Sequence, residues 1–203
     1  MKRLFVLACM AAAITLTTGT AFADSIQGRV GVTGRIGFLI PADSDLGDLK
    51  VETDAGFVGG GGFIYGIDKN FAAEIDVTRT EFGSNRVSGI NTGDFGITNV
   101  SLGGQYRFTI GQPKLVPYVG AGLDILISDF ENRFGISQDV DTTVGVHGSG
   151  GVDYFIMKQL ALTAEAKFVV APETDIKPRP GEPGGNFDPS SFSTTFGVRF
   201  FFN

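Results

Sequence analysis

From residue 28 to residue 202 the chain alternates apolar and polar residues with a period of two, segment after segment, and nowhere shows the 3.6-residue period of a helix. A two-residue period sends successive side chains to opposite faces of a strand. The feature leaves one fold class open, an all-β meander. Eight segments carry it. They are 28–40 (Val30, Val32, Ile36, Phe38 and Ile40 against Arg29, Thr33 and Arg35), 54–66 (Ala55, Phe57, Phe63 and Tyr65 against glycines), 70–82 (Phe71, Ala73, Ile75 and Val77 against Ala72, Glu74, Asp76, Thr78 and Thr80) and 94–109 (Val100, Leu102, Tyr106 and Phe108 against Asn99, Ser101, Gln105 and Arg107). The other four are 116–129 (Val119, Ala121, Leu123, Ile125 and Ile127 against Gly120, Gly122, Asp124 and Ser128), 140–155 (Val144, Val146, Val152 and Tyr154 against Asp141, Thr143, His147, Ser149 and Asp153), 160–170 (Leu160, Leu162, Ala164, Ala166 and Phe168 against Thr163, Glu165 and Lys167) and 191–202 (Phe192, Phe196, Val198, Phe200 and Phe202 against Ser193, Thr195 and Arg199).

The connections alternate as well. Long polar stretches follow the odd segments, at 41–53, 83–93, 130–139 and 171–190, and short turns follow the even ones, at 67–69, 110–115 and 156–159. The last long stretch is rich in Pro and Gly and reads as a loop. Tyr65-x-Ile67-x-Lys69-Asn70-Phe71-Ala72 recurs 89 residues later as Tyr154-x-Ile156-x-Lys158-Gln159-Leu160-Ala161, so the second turn of each half is built alike. Duplication of a half and convergence on a good turn both account for it.

The amino terminus has a different character. Lys2 and Arg3 precede an apolar run from Leu4 to Leu16 that is too short to span a bilayer, and Ala21-Phe22-Ala23 has the small-x-small form of a signal peptidase site. We expect residues 1–23 to be a cleaved signal and residues 24–203 to be one domain. The single cysteine, Cys9, leaves with the signal, and with it any disulfide, thiol nucleophile or Cys-ligated metal. A small exported domain without disulfides needs another source of stability. Without Lys2 and Arg3, 14 basic residues face 22 acidic ones, a net charge of −8, which argues against nucleic acid as a partner.

Alternation by itself does not decide which face meets water. In a soluble secreted carrier barrel the apolar face lines the interior; in a membrane barrel it meets lipid and the charges point inward. Export without disulfides and the strict asymmetry of the connections favour the membrane. So do aromatic residues near both strand ends: Phe63, Tyr65, Phe71, Tyr106, Phe108, Tyr118, Tyr154, Phe200 and Phe202 by the short turns, Phe38, Phe82, Phe95, Phe130 and Phe192 by the long loops. The expected fold is an eight-stranded antiparallel up-and-down transmembrane β-barrel. A basic side chain facing lipid at mid-membrane costs about 2–4 kcal/mol, so the charged faces turn inward. Arg29, Arg35, Arg107, Lys167 and Arg199 then meet Glu74, Asp76, Asp124, Asp153 and Glu165 in a lumen with little room beyond side chains. The expected interior is a salt-bridge network.

Several stretches resemble the OmpW family and the wider OmpA/OmpX-like set of eight-stranded outer-membrane barrels. Arg35-Ile-Gly-Phe-Leu-Ile-Pro41-Ala-Asp43 resembles the first strand and loop start of OmpW-like proteins. Gly66-Ile-Asp-Lys-Asn-Phe-Ala-Ala-Glu74, Pro117-Tyr-Val-Gly-Ala-Gly122 and Gly151-Val-Asp-Tyr-Phe-Ile156 resemble turn and strand motifs common to these families. The resemblance covers the whole expected mature chain. It implies the outer membrane of a Gram-negative envelope, contact with its lipid and lipopolysaccharide, and assembly through machinery that reads the C-terminal strand. That strand usually ends on an aromatic residue; here Asn203 follows Phe202. OmpW-like kinship implies porin-like passage of small hydrophobic solutes through a narrow lumen with a lateral exit. OmpX-like kinship implies adhesion or surface contact.

No motif carries chemistry of its own. Glu165 and Lys167, with Glu74 and Asp76, are read as packing charges rather than an acid–base pair. His147, the only histidine, has no companion ligands for a metal. Gly59-Gly60-Gly61-Gly62 lies within a strand, so it marks a bend or close packing in the wall rather than a phosphate cradle. Asp43, Asp45, Asp48, Glu52 and Asp54 lack EF-hand spacing and read as a solvated acidic rim, with cation-bridged contact to lipopolysaccharide phosphate as the sharper alternative. No cofactor, no metal and no enzymatic activity are expected. Three roles stay open: a narrow passive channel, a non-conducting barrel acting through its loops, and a soluble binding barrel.

Overall fold

A computed structural model describes residues 25–41, 44–46, 49–51, 55–85, 91–108, 114–132, 137–139, 142–172, 174–176, 185–187 and 189–202. Its frame is eight long strands: β1 (Val30–Pro41), β2 (Gly56–Gly66), β3 (Phe71–Asn85), β4 (Asn91–Arg107), β5 (Leu115–Asn132), β6 (Thr143–Met157), β7 (Leu160–Val170) and β8 (Ser191–Phe201). Each pairs antiparallel with the next. Strand β8 then pairs with β1, from Gly31 opposite Phe201 to Pro41 opposite Ser191, and closes the barrel. Closure removes both sheet edges, a requirement where no water is present to satisfy an unpaired strand.

The period-two pattern maps onto two faces. The large apolar side chains point outward: Ile36, Phe38, Phe63, Leu102, Leu123, Val144, Phe168 and Phe196 are among the exposed residues. The charged ones point inward and are buried, including Arg35, Glu74, Asp76, Arg107, Asp124, Asp153, Glu165 and Arg199. A water-soluble barrel has these faces the other way round.

The short turns lie at one rim. At Ile67–Asn70, Asp68 Oδ1 accepts hydrogen bonds from the backbone N–H groups of Asn70 and Phe71, both at 2.7 Å, and so holds the corner. The repeated motif builds the same joint twice. The carbonyl of Asn70 accepts the N–H of Arg107 at 2.6 Å, and the carbonyl of Gln159 accepts that of Phe201 at 2.7 Å. Each corner thereby ties its hairpin to the next strand.

At the opposite rim the walls are uneven. The expected 83–93 connection is shorter than its polar sequence suggests, because β3 and β4 stay paired out to Asn85 opposite Asn91, with a register shift after Ser84. Strand β5 rises with them, pairing Asn132 with Gly93. Alternation stops where there is no lipid to face, but backbone pairing needs no apolar side chains and continues past it. Short paired segments decorate the same rim: Ser44–Leu46 with Leu49–Val51, Thr174–Ile176 with Gly185–Phe187, and Ser137–Asp139 against β5.

The glycine run in β2 is close packing within the wall. A Cβ on Gly60 would stand 2.7 Å from Thr78 Cα, and one on Gly62 would stand 2.8 Å from Asp76 Cγ. Side chains at these inward positions would collide with β3.

Candidate functional site

The lumen is stratified along its axis. At the short-turn rim it is floored by an apolar cluster of Ile26, Ile64, Ala72, Phe155, Ala161 and Phe201, with Val116 against it. Phe155 and Phe201 stack at 5.8 Å between ring centroids. Ile26 precedes β1 and reaches the floor because Gly28 adopts a positive φ of 72° and turns the chain back. The backbone N–H of Gly28 donates to Gly66 O at 2.7 Å and that of Arg29 to Ile26 O at 2.9 Å. Nothing in the period-two pattern announces Ile26, since it stands before the first alternating segment.

Above the floor lies a layer of charge. The Arg199 guanidinium, with 0% of its surface exposed, donates to both Asp153 oxygens at 3.0 and 3.1 Å and to Glu74 Oε1 at 2.7 Å. Arg35 reaches Glu165 and Glu74 at 2.7 Å each and Asp76 at 2.9 Å. Arg107 donates to Asp153 Oδ2 at 2.6 Å and to Gln105 Oε1 at 3.3 Å, while Gln105 Nε2 donates to Glu74. Three guanidiniums and four carboxylates thus form one connected plug, with each carboxylate bridged to at least one arginine. Each charge in such a cluster lies against an opposite one, which offsets much of the cost of burial; Arg35 Nε and Asp76 Oδ1 have no hydrogen-bond partner.

Tyr118 is a correction to the aromatic-girdle reading. It lies inside, 2% exposed, with the guanidiniums of Arg199 and Arg107 over its ring at 5.0 and 5.7 Å. Its hydroxyl donates to Glu165 Oε2 at 3.0 Å. Sequence reasoning placed it by proximity to a turn. The signal that finds it is parity: Val119 faces lipid, so its neighbour faces the lumen.

Nearer the loop rim a second polar group forms. Asp124 accepts from Asn99 Nδ2 at 2.8 Å and pairs with His147 Nδ1 at 2.5 Å. Lys167 donates to Ser101 Oγ at 3.0 Å, apart from the arginine cluster. His147 fits because the facing positions are glycines. A Cβ on Gly122 would sit 2.7 Å from its Cε1 and one on Gly103 would sit 3.0 Å from its Nε2. Large and small inward residues alternate in this way to fill a small barrel. A cavity of about 30 Å³ is lined by Leu39, Val58, Ile97, Leu126 and Val169 together with Arg35, Glu165, Lys167, Asn99 and several serines and threonines.

Of the ten residues expected in a lumen network, the geometry joins Arg35, Glu74, Asp76, Arg107, Asp153, Glu165 and Arg199 through direct contacts. Asp124 and Lys167 belong to the separate group above it. Arg29 stands at the short-turn rim: it donates to Lys158 O at 2.9 Å and Phe202 O at 3.4 Å, with its guanidinium 5.4 Å from the Phe201 ring centroid. It rides on the floor and clamps the third turn because its strand position precedes the charged layer. Among the described residues, no group of three or more His, Cys, Asp or Glu is arranged to hold a metal ion. The acidic stretch 43–54 and the residues expected to form a signal lie outside the described residues or their described side chains.

Solved structures share this architecture at low sequence identity. Outer membrane protein OprG from Pseudomonas aeruginosa superposes with a TM-score of 0.72 at 16% identity, over 90% of this chain and 99% of that one. Neisserial surface protein A gives 0.65 at 20% identity, over 87% and 98%. Outer membrane protein W of E. coli gives 0.51 at 17% identity, over 87% and 98%. No curated protein matches the sequence. The model of the outer membrane protein beta-barrel domain family matches residues 9–200. The chain belongs to that family, and it is an eight-stranded β-barrel of the outer membrane.

Proposed function

We propose that the protein is a non-conducting outer-membrane barrel that works through its loop-bearing outer end, in surface contact or envelope integrity, and not as an enzyme. The observation that carries this reading is the double closure of the lumen. An apolar floor lies beneath a cluster of arginines and carboxylates in which Asp153 and Arg199 are 0% exposed. An ion moving along the axis would have to displace paired charges that cost several kcal/mol to separate in a buried site. The rigid barrel then serves as a mount for loops 42–55, 133–142 and 171–190, the usual place for contact residues on a rigid scaffold.

The expected result in planar bilayers is the absence of unitary conductance steps from the refolded chain. Discrete openings in the unaltered protein would overturn the reading. Replacing loop 171–190 by a short turn is expected to leave the barrel folded and to abolish its surface binding or envelope phenotype. If every such phenotype persists, the outer end is not the working surface.

A second reading, passage of small hydrophobic solutes, is favoured by the apolar walls of the outer cavity at Leu39, Val58, Ile97, Leu126 and Val169. About 30 Å³ is room for water rather than for a solute, so this route requires the wall to open sideways above the plug. Liposome uptake of an apolar probe that survives in the presence of an intact plug separates it from the first reading.

A further inference from the structure

The barrel is electrically polar along its axis, and the basic end has no role in the proposed function. Each of the three short turns carries one lysine: Lys69 in 67–70, Lys114 in 108–114 and Lys158 at 158–159. All three side chains are exposed, and none enters an ion pair among the described residues. Arg29 adds a fourth positive charge beside Lys158, held there by its bond to the Lys158 carbonyl. The only carboxylate in these turns, Asp68, is engaged by two backbone N–H groups of its own corner. The opposite rim has the other sign: residues 42–55 alone hold Asp43, Asp45, Asp48, Glu52 and Asp54 against Lys50.

The lysines also stand at a defined depth. Directly inboard of them the outer wall carries exposed aromatic residues. Phe71, Tyr106 and Phe108 form a chain of edge-on contacts at 5.0 Å each, the exposed Phe202 meets the half-buried Phe200 at 5.3 Å, and Tyr65 and Tyr154 close the ring. Aromatic residues of this kind sit at the headgroup level of a bilayer. Ammonium groups one turn beyond them lie at the height of lipid phosphates. Short turns face the periplasm in such barrels, so the leaflet they meet is the periplasmic one.

We propose that this rim is a docking ring for anionic phospholipid headgroups of the periplasmic leaflet, with Lys69, Lys114 and Lys158 as its contacts. The match is one of charge sign and depth: basic side chains at a membrane surface favour anionic lipid by a factor of about five each. The ring holds the barrel at a fixed height and orientation, complementing an acidic end that repels the same lipid.

The absence of tryptophan from the chain permits a local test. One tryptophan is introduced at the basic rim by Tyr106→Trp, or at the opposite end by Phe38→Trp, in the full barrel refolded into nanodiscs. Quenching by brominated phosphatidylglycerol is compared with quenching by brominated phosphatidylcholine. The expected result is a several-fold preference for phosphatidylglycerol at the basic rim only. It should fall to unity in the combined Lys69→Gln, Lys114→Gln, Lys158→Gln variant. In the unaltered ring it should also fall to unity near 1 M salt, where the Debye length shrinks to about 3 Å. Quenching by the phosphatidylcholine analogue reports that the variant is still inserted. Equal quenching at both rims, or a preference untouched by both the substitutions and salt, overturns the proposal. So does a ring that retains purified peptidoglycan in a lysine-dependent way while showing no lipid preference.

Discussion

Replacing Arg199 with methionine is expected to lower the unfolding free energy of the barrel by about 3–5 kcal/mol, the cost of leaving a buried charge without its partner. Arg199 is the joint of the plug. Its guanidinium holds both oxygens of Asp153 and one of Glu74, its Nε lies 3.3 Å from Thr33 Oγ1, and it covers the ring of Tyr118. Methionine has a comparable apolar length but none of the donors. Among the described residues, Asp153 would keep Arg107 and Thr163, and Glu74 would keep Arg35 and Gln105. Urea unfolding in lipid vesicles, followed by heat-modifiable gel mobility, measures the loss. Two comparisons make the result specific. Arg79→Met removes an exposed arginine whose Nε lies 3.1 Å from Glu81. Such pairs contribute about 0–1 kcal/mol, so this variant should hardly move the midpoint. Asp153→Asn in the Arg199→Met background should recover part of the loss, because the two substitutions act on one contact and are not additive. An Arg199→Met barrel as stable as Arg79→Met would mean that water, not arginine, satisfies the carboxylates.

The second large effect belongs to the outer face. Leu123→Arg is expected to destabilise the inserted barrel by about 2–4 kcal/mol, and Ile67→Arg by no more than about 1 kcal/mol. Leu123 is 56% exposed and lies between Leu102 and Val146 on the neighbouring strands, at the level of the polar groups around Asp124. Ile67 is equally exposed but sits in a short turn at the rim. The same exposure therefore predicts two costs, because the surroundings are hydrocarbon in one case and headgroup in the other. Equal, small effects at both positions would contradict a lipid-facing belt at Leu123. A loss that falls with distance from the barrel's middle, followed through Tyr106→Arg, would establish the depth profile.

The strands and their facing were legible from the sequence because burial in a barrel is written one residue at a time. Val100, Leu102 and Tyr106 alternate with Ser101, Gln105 and Arg107, and the two sets lie on opposite sides of β4. The short turns were legible too, since the Lys-Asn and Lys-Gln corners are local structures. Three features were not. Tyr118 entered the lumen although its chemistry suits a girdle; parity outweighs residue type when the wall has only two sides. Ile26 joined the floor because a single left-handed glycine reversed the chain, a backbone choice with no periodic trace. The partners of the charges were also hidden. Arg35 and Glu165 are 130 residues apart, Arg199 and Glu74 125 apart, and no local pattern links them.

A period of two and a turn are short-range properties of a chain, so the residues in order already specify a meander of eight two-faced strands with unlike ends. What fills the lumen follows from the assembled barrel alone. When the sheet closes, inward side chains from strands far apart in sequence meet around one axis, and the sum of their sizes and charges determines whether that axis is open. Here inward glycines make room for Tyr118, His147 and Arg35, the carboxylates pair with the arginines, and an apolar floor seals one end. Closure is a property of the ring as a whole, so it appears only once the ring is assembled.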